Sequence, residues 1–154
     1  MANTYTQIYI QVVFAVEGRQ NLISPEHNDE PQKYITGIVS GQDHKLIEIN
    51  NVPDHLHMVI GLNPDRALSD LVRDVKSNSS RFVNEKRWVP GRFSWQEGFG
   101  GFSYSRSQLD SIIHYIKNQQ EHHARTTFRD EYIAFLKKFG VEYDSRYIFK
   151  TGDE

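Results

Sequence analysis

Hydrophobic and polar positions follow two periodicities along the first half of the chain. β-Branched and aromatic residues dominate positions 4–16, which is typical of a strand. Segment 25–40 opens on a Ser-Pro start signal, carries apolar residues at helical spacing, and predicts a helix that ends near Gly41. Alternation returns in 45–50 and in 55–62, and predicts two further strands joined by a short turn.

The second half of the chain begins with the longest helical pattern. Apolar residues at positions i, i+3, i+4 and i+7 within 68–83 predict this helix. Segment 93–104 is rich in aromatic residues and glycine, and predicts a strand or a strand pair with a bend. Positions 107–110 have the spacing of a capping box, with Asp in place of Glu or Gln, and predict a third helix that runs to about His123. A short amphipathic stretch at 132–136 is expected to pack on the domain.

The order strand, helix, strand, strand, helix, strand, helix is that of a ferredoxin-like, RRM-like α+β fold. We predict an antiparallel sheet with helices on one face, to which a C-terminal helix and an extension are added. The length of 154 residues suits one domain. We therefore expect a single domain over 1–154, with a core at about 4–123 and a C-terminal extension at 124–154.

Composition narrows the possible classes of protein. Hydrophobic residues make up 38% and charged residues 25%, which is typical of a globular domain. The absence of cysteine excludes disulfides and thiolate metal sites, so any metal would have nitrogen or oxygen ligands. We find neither a leader-like N-terminus nor the run of about 20 apolar residues that a membrane helix needs. We expect a cytoplasmic protein.

Charge is distributed unevenly, although the net charge is only −2. Segment 66–92 holds seven Lys or Arg residues and three Asp or Glu residues. Such a segment is either the solvated face of a helix or a contact surface for a polyanion. The pattern by itself leaves both interpretations open.

The strand at 55–62 carries the most informative pair of residues, His55 and His57. Because side chains alternate along a strand, the two imidazoles lie on one face while Leu56 and Met58 lie on the other. Neutral imidazole is the commonest protein ligand for metals. A central strand makes a buried polar pair costly unless it has partners. The pair is therefore either a metal chelate or a hydrogen-bonded structural element.

The predicted third helix places Tyr115 and Gln119 four residues apart, on the same face and at the edge of its apolar stripe. If this helix borders the histidine face, Gln119 could be a third metal ligand and the Tyr115 phenol a nucleophile. The alternative is a half-buried aromatic residue beside a surface amide. Spacing does not decide between these interpretations.

Four segments together resemble the small single-tyrosine HUH transposases of insertion sequences of the IS200/IS605 type. They are 52–57, 95–99, 102–105 and 115–119. The resemblance implies that His55, His57 and Gln119 bind a divalent metal, Mg²⁺ or Mn²⁺. It also implies that Tyr115 attacks single-stranded DNA and forms a 5′-phosphotyrosine, which conserves the bond energy for rejoining.

The same resemblance implies hairpin recognition at single-stranded DNA ends. It also implies a homodimer with active sites shared between subunits, in which the tyrosine helix of one subunit completes the histidine site of its partner. Arg73, Lys76 and Arg81 are candidate phosphate contacts. Trp95 is a candidate for stacking on bases, although a lone tryptophan in a strand more often belongs to the core. One departure from the family pattern is Gln11, which stands where many relatives have a histidine.

Three alternatives accompany this prediction. A ferredoxin-like sheet that exposes aromatic residues is also a platform for single-stranded nucleic acid, so a noncatalytic binding module is possible. A domesticated, inactive descendant of a transposase would keep the same residues. A metal-dependent phosphodiesterase that uses water is a third reading, but no cluster of carboxylates surrounds the two histidines in the sequence.

Overall fold

A computed structural model of the chain describes residues 3–17 and 23–148, with the backbone alone for His123. Four antiparallel strands form one sheet, in the order β2-β3-β1-β4. The strands are β1 (Tyr9–Ala15), β2 (Lys45–Val52), β3 (His55–Gly61) and β4 (Gly100–Tyr104). The helices are α1 (Asp29–Gly41), α2 (Leu68–Lys86), α3 (Leu109–Lys117), α4 (Gln119–His123) and α5 (Phe128–Lys138).

The strand order confirms the predicted ferredoxin-like α+β fold, with β3 and β1 as the two central strands. Strand register places Val13 opposite His57 and Ala15 opposite His55. On the other side of β3, Asn50 lies opposite His57. Because opposed residues share a face, the histidine face of the sheet is set by the alternation of three neighbouring strands.

The opposite face of the sheet is an apolar layer covered by α1 and α2. Val12, Phe14, Leu56 and Met58 are at most 1% exposed. Each buried side chain of this size stabilises the fold by roughly 1.5–3 kcal/mol. This layer also includes Trp95, whose ring packs edge-on against Phe14.

The histidine face is covered instead by α3, α4 and α5. The carbonyl of Ile116, at the end of α3, accepts a 2.8 Å hydrogen bond from Asn50 Nδ2 on β2. The ring of Phe135, on α5, lies 6.2 Å from that of His57. The sheet is thus sandwiched between two helical layers, one apolar and one that contains polar side chains.

Several predicted boundaries differ from those of the structure. The first strand begins at Tyr9 rather than at position 4, and 93–104 holds one strand, preceded by an isolated bridge between Val16 and Trp95. Lys76, Ser79 and Asn84 of α2 contact this segment. The Asn84 side chain bonds both the backbone N–H and the carbonyl of Phe93. These backbone groups are satisfied by a side chain and do not need a strand partner.

The third predicted helix also needs two corrections. The capping box is formed by Ser105 and Gln108, two residues earlier than predicted, and it caps a short 3-10 turn that leads into α3. The helix is then interrupted at Asn118, so that Tyr115 and Gln119 belong to α3 and α4. The Asn118 side chain donates to the carbonyl of His114 at 2.9 Å, a local bond that competes with helix continuation.

The C-terminal part of the described chain packs on the sheet through α5. Phe128, Tyr132, Phe135 and Leu136 are at most 8% exposed and join the main hydrophobic core. The helix is capped at its start by Thr127, whose hydroxyl accepts from the Asp130 amide. In the described part of the chain, the helices are all too short or too polar to cross a membrane.

Candidate active site

Strand β3 buries the two histidines side by side, each 1% exposed, with their Nε2 atoms facing the covering helices. His55 Nδ1 lies 2.6 Å from Asp54 Oδ1, just before the strand. His57 Nδ1 lies 2.9 Å from the amide nitrogen of Gln11 on β1. Each ring is therefore held through its outer nitrogen, as in metal sites where a second group orients the histidine.

Gln11, the departure from the family pattern, has a defined place in this arrangement. It is fully buried, its amide nitrogen donates to His57 Nδ1, and its carbonyl oxygen accepts a 2.8 Å hydrogen bond from the Tyr104 hydroxyl. With Nδ1 as acceptor, the ring proton of His57 is on Nε2 and is donated to Glu131 Oε1, so a metal bound at Nε2 would displace this proton. Gln11 thus links His57 to β4 and fixes the orientation of its ring.

Tyr115 and Gln119 both reach the histidines within the same chain. Gln119 is fully buried, and its Oε1 lies 3.2 Å from His55 Nε2. The half-buried Tyr115 ring stands edge-on to His57, with ring centroids 5.9 Å apart. The structure therefore brings together the four residues that the sequence proposed for chemistry.

A fifth residue, Glu131 on α5, lies at the centre of the group and was missed by the sequence analysis. It is 5% exposed, and its carboxylate is surrounded by polar atoms. His57 Nε2 lies 2.9 Å and His55 Nε2 3.3 Å from Glu131 Oε1. Glu131 Oε2 faces the Tyr115 hydroxyl, Gln119 Nε2 at 3.3 Å and His122 Nε2 at 3.2 Å.

A pattern in the sequence could have identified Glu131. Within α5 it follows Phe128 by three residues and precedes Phe135 by four, so it belongs to the stripe of α5 that faces the core. The amphipathic stretch predicted from the sequence began only at position 132, so Glu131 lay just outside it. A carboxylate on an apolar stripe needs a buried partner, and here the partners are histidines.

The protonation states of the group follow from its burial and contacts. Burial by itself raises the pKa of Glu131, but hydrogen bonds from His55 and His57 outweigh it and hold the pKa well below its usual range. Burial would lower the pKa of His55, but Asp54 and Glu131 raise it; burial lowers the pKa of His57. Burial and the adjacent carboxylate both raise the pKa of the Tyr115 phenol. In this arrangement Tyr115 is a neutral phenol that donates to an anion.

The donor set fits a divalent cation. One nitrogen from each of His55 and His57 and one oxygen from Glu131 lie within 4.8 Å of one another. The oxygen of Gln119 is turned toward the same place. Oxygen ligands suit hard cations such as Mg²⁺ and Mn²⁺, and imidazole suits many divalent metals.

The break between α3 and α4 is fixed by the neighbouring strand. Asn50, on the histidine face of β2, donates to the carbonyl of Ile116 and contacts the side chain of Gln120 at 3.0 Å. It thereby adds a side-chain donor to a carbonyl in the last turn of α3. The interruption turns α4 so that Gln119, the first residue of α4, points into the site.

The proposed DNA contacts lie on α2, on the opposite side of the sheet from Tyr115. Arg73 pairs with Asp70 and Asp74 on the surface, whereas the Lys76 ammonium bonds the carbonyls of Gln96 and Gly98. Arg81 lines a surface depression of about 550 Å³ together with Ser77, Ser80, Asn84, Glu85, Arg87 and Arg92. Trp95 is a buried core residue that donates to Ser79 Oγ at 2.9 Å.

Comparison with known proteins gives a consistent picture. The family model described as "Transposase IS200 like" matches residues 4–119. The ISDra2 transposase TnpA of Deinococcus radiodurans is 25% identical over 122 residues, which cover 75% of this chain and 86% of that protein.

Two solved structures share the fold. A crystal structure from Deinococcus radiodurans, described as that of a transposase, has a TM-score of 0.61 and 20% identity, and covers 77% of this chain and 95% of that one. The structure of a REP-associated tyrosine transposase bound to a REP hairpin has a TM-score of 0.59 and 12% identity. The match covers 97% of this chain and 91% of that one.

Proposed function

Because the chain belongs to the IS200-like transposase family, we propose that it cleaves and rejoins single-stranded DNA through a covalent 5′-phosphotyrosine on Tyr115. The observation that carries this proposal is the convergence of the Tyr115 hydroxyl, two imidazoles and the Gln119 amide in one site. A hydrolytic enzyme would not need a tyrosine placed beside its metal ligands.

We assign His55, His57 and Gln119 as ligands of a divalent metal, Mg²⁺ or Mn²⁺. When bound, the metal would polarise the scissile phosphate, stabilise the charge on the departing 3′ oxygen and favour the phenolate of the nucleophile. Asp54 and Gln11 orient the two imidazoles through their outer nitrogens. The two imidazoles are therefore held in position by Asp54 and Gln11 before DNA binds.

In the proposed cleavage step the Tyr115 oxygen attacks phosphorus as the bond to the 3′ oxygen breaks. Glu131 Oε2 accepts the hydrogen bond of the Tyr115 hydroxyl and orients it. The proton of the phenol is passed on to the departing 3′ oxygen, which leaves as a hydroxyl. In the reverse step a 3′ hydroxyl attacks the phosphotyrosine and the proton returns to Tyr115. The phosphodiester energy is conserved, so no nucleotide cofactor is required.

The proposed substrate is a hairpin-bearing DNA end, by extension from the relative whose structure contains a REP hairpin. Arg73, Lys76 and Arg81 stay candidate phosphate contacts on α2. Arg81 is the best placed of them, because it shares a surface depression with Arg87 and Arg92. Lys76 would contribute through its charge, since its ammonium already binds two backbone carbonyls.

We also propose that residues 1–154 form one HUH transposase domain, with a core at about 4–123 and an extension at 124–154. Burial of Phe128 and Phe135 in the main core supports this proposal. A homodimer stays a prediction from the family. In the structure, Tyr115 and Gln119 meet the histidines of their own chain.

The test is covalent capture of DNA. Labelled single-stranded DNA with a hairpin and flanking sequence is incubated with protein and Mg²⁺ or Mn²⁺, and an SDS-resistant adduct is measured. We expect an adduct with the natural chain and with Tyr34→Phe, a matched loss of a phenol on α1, but none with Tyr115→Phe. An adduct that persists in Tyr115→Phe would refute the assignment, whereas binding without any adduct would favour a noncatalytic module or an inactive descendant.

A further inference from the structure

Glu131 belongs to none of the segments that suggested the family, and it lies beyond the matched residues 4–119. It comes from α5, yet its carboxylate occupies the centre of the proposed metal site. Two apolar anchors of α5, Phe128 and Phe135, hold this helix against the sheet, and the Phe128 ring stacks on His55 with centroids 4.1 Å apart. The position of Glu131 is therefore fixed by packing on both sides of it.

The distances around Glu131 Oε1 suit a shared cation. This oxygen lies 2.9 Å from His57 Nε2 and 3.3 Å from His55 Nε2, and the Gln119 oxygen lies 3.2 Å from His55 Nε2. Mg²⁺ holds its ligand atoms about 2.1 Å away, so neighbouring ligands at right angles lie about 3 Å apart. The three spacings are close to that value.

The charge balance of the site points the same way. Among the described residues, the ion-pair partners of Glu131 are all histidines, namely His55, His57 and His122. A carboxylate that is 5% exposed needs a countercharge beside it, and a divalent cation bound between the carboxylate and the imidazoles would supply it.

We propose that Glu131 is a further ligand of the divalent cation and completes a set of two imidazoles, one amide and one carboxylate; this inference rests on the proposed metal-dependent function. Oε1 faces the histidines and would bind the cation, while Oε2 faces the Tyr115 hydroxyl. One carboxylate would thus hold the nucleophile beside the metal. The C-terminal helix becomes a part of the active site and not merely a cover for the sheet.

Metal affinity is the direct test, because it needs neither DNA nor turnover. Binding of Mn²⁺ is measured by calorimetry and by electron paramagnetic resonance on the full-length chain, on Glu131→Gln and on Asp130→Asn. Asp130 is the matched control, since it is the adjacent acidic residue of α5 and is exposed. We expect Glu131→Gln to weaken Mn²⁺ binding at least about 10-fold and Asp130→Asn to change it less than about 2-fold.

Unchanged or tighter Mn²⁺ binding by a folded Glu131→Gln variant would overturn the proposal. Tighter binding would mean that the carboxylate competes with the cation for the histidines. If Glu131→Gln does not fold, the natural chain is crystallised with Mn²⁺ and the ion is located by anomalous scattering. A distance of about 2.2 Å from Glu131 Oε1 would support the proposal, and one beyond about 3.5 Å would overturn it.

The proposal and the transposase function fail in different experiments. A Tyr115-dependent DNA adduct, together with Mn²⁺ binding that Glu131→Gln leaves unchanged, would support the transposase function and refute Glu131 as a metal ligand. Mn²⁺ binding that is weakened by Glu131→Gln, without any DNA adduct, would support the proposed metal site and refute the proposed transposase chemistry.

Discussion

The two faces of the sheet are built from the same strands but buried against different partners. On one face Phe14, Leu56 and Met58 pack against α1 and α2 and have no hydrogen bonds to satisfy. On the other face His57 and Gln11 are as deeply buried, yet each is bonded to other polar side chains. Depth of burial therefore does not separate the scaffold from the site.

The difference between the faces is one of specificity. An apolar layer accepts other side chains of similar volume at modest cost, because its contacts are not directional. A buried polar network is stable only when every member keeps its partner. Strand β3 contributes to both faces, so neighbouring substitutions on it test this contrast within a few residues.

The largest expected effect is on catalysis and concerns the polar face alone. His57→Gln removes an imidazole that faces Glu131 but keeps a polar side chain in its place. We expect formation of the DNA adduct to fall at least about 100-fold, as when one stabilising group is lost from an active site. The measurement is the rate of adduct formation with the same labelled hairpin DNA.

The substitution His27→Gln serves as its control. His27 stacks on Trp88 and is remote in sequence from the metal ligands. We expect near-normal adduct formation with this variant. Equal losses in both variants would show that any histidine change damages the fold, and would blur the contrast between the faces.

The next effect is on stability and concerns the apolar face. Leu56→Ala leaves a cavity beneath α1 and α2, and we expect it to lower the free energy of unfolding by about 2–5 kcal/mol. Urea denaturation monitored by circular dichroism measures this loss. Met58→Leu conserves volume and should cost less than about 1.5 kcal/mol. A larger cost for Met58→Leu than for Leu56→Ala would contradict the account of this layer.

A smaller effect is expected at the support of the polar face. Gln11→Leu leaves His57 Nδ1 and the Tyr104 hydroxyl without their partner. We expect a loss of roughly 1–3 kcal/mol in stability, and weaker Mn²⁺ binding by on the order of 10-fold. Tyr104→Phe removes one bond and should have the milder effect on metal binding. Normal Mn²⁺ affinity in Gln11→Leu would show that His57 needs no orienting group.

The smallest effect concerns a buried histidine outside the site. His44 Nδ1 accepts from the Asn63 amide at 2.9 Å, and its Nε2 is the one buried side-chain polar atom without a partner among the residues described. Burial, and next the positive charge of Arg66, lower the pKa of His44. As the pH falls, the His44 imidazole is therefore protonated in the unfolded chain before it is protonated in the folded one. The contribution of His44 to the free energy of unfolding is thus present above pH 6.5 and is lost as the pH falls through its folded pKa.

Urea denaturation at several pH values between 8 and 5 measures this contribution, with His44→Gln as the reference. The difference in stability between the natural chain and the variant should shrink toward low pH, by at most about 1.4 kcal/mol per pH unit for one proton. A difference that grows on acidification would reverse the sign of the pKa shift. It would also contradict the distinction between His44, whose Nε2 has no partner within the described ranges, and the site histidines His55 and His57, which are paired with polar side chains.

The elements of the fold were predictable because their patterns are local. Helical spacing identified α1 and α2, and alternation identified the strand that carries His55 and His57. The boundaries at 93–104 and at Asn118 were wrong where side chains of other elements bond the backbone, namely those of Asn84 and Asn50. Local patterns do not contain such partners.

Sequence alone determined the order of the elements, the shared face of His55 and His57, and the spacing of Tyr115 and Gln119. Tertiary structure decided that Gln11 orients His57, 46 positions away, and that Glu131 contacts it from 74 positions away. The physical reason is that periodicity fixes only which face a side chain takes. Which other side chain it meets depends on sheet register and helix packing, and these bring together residues that are far apart in the chain.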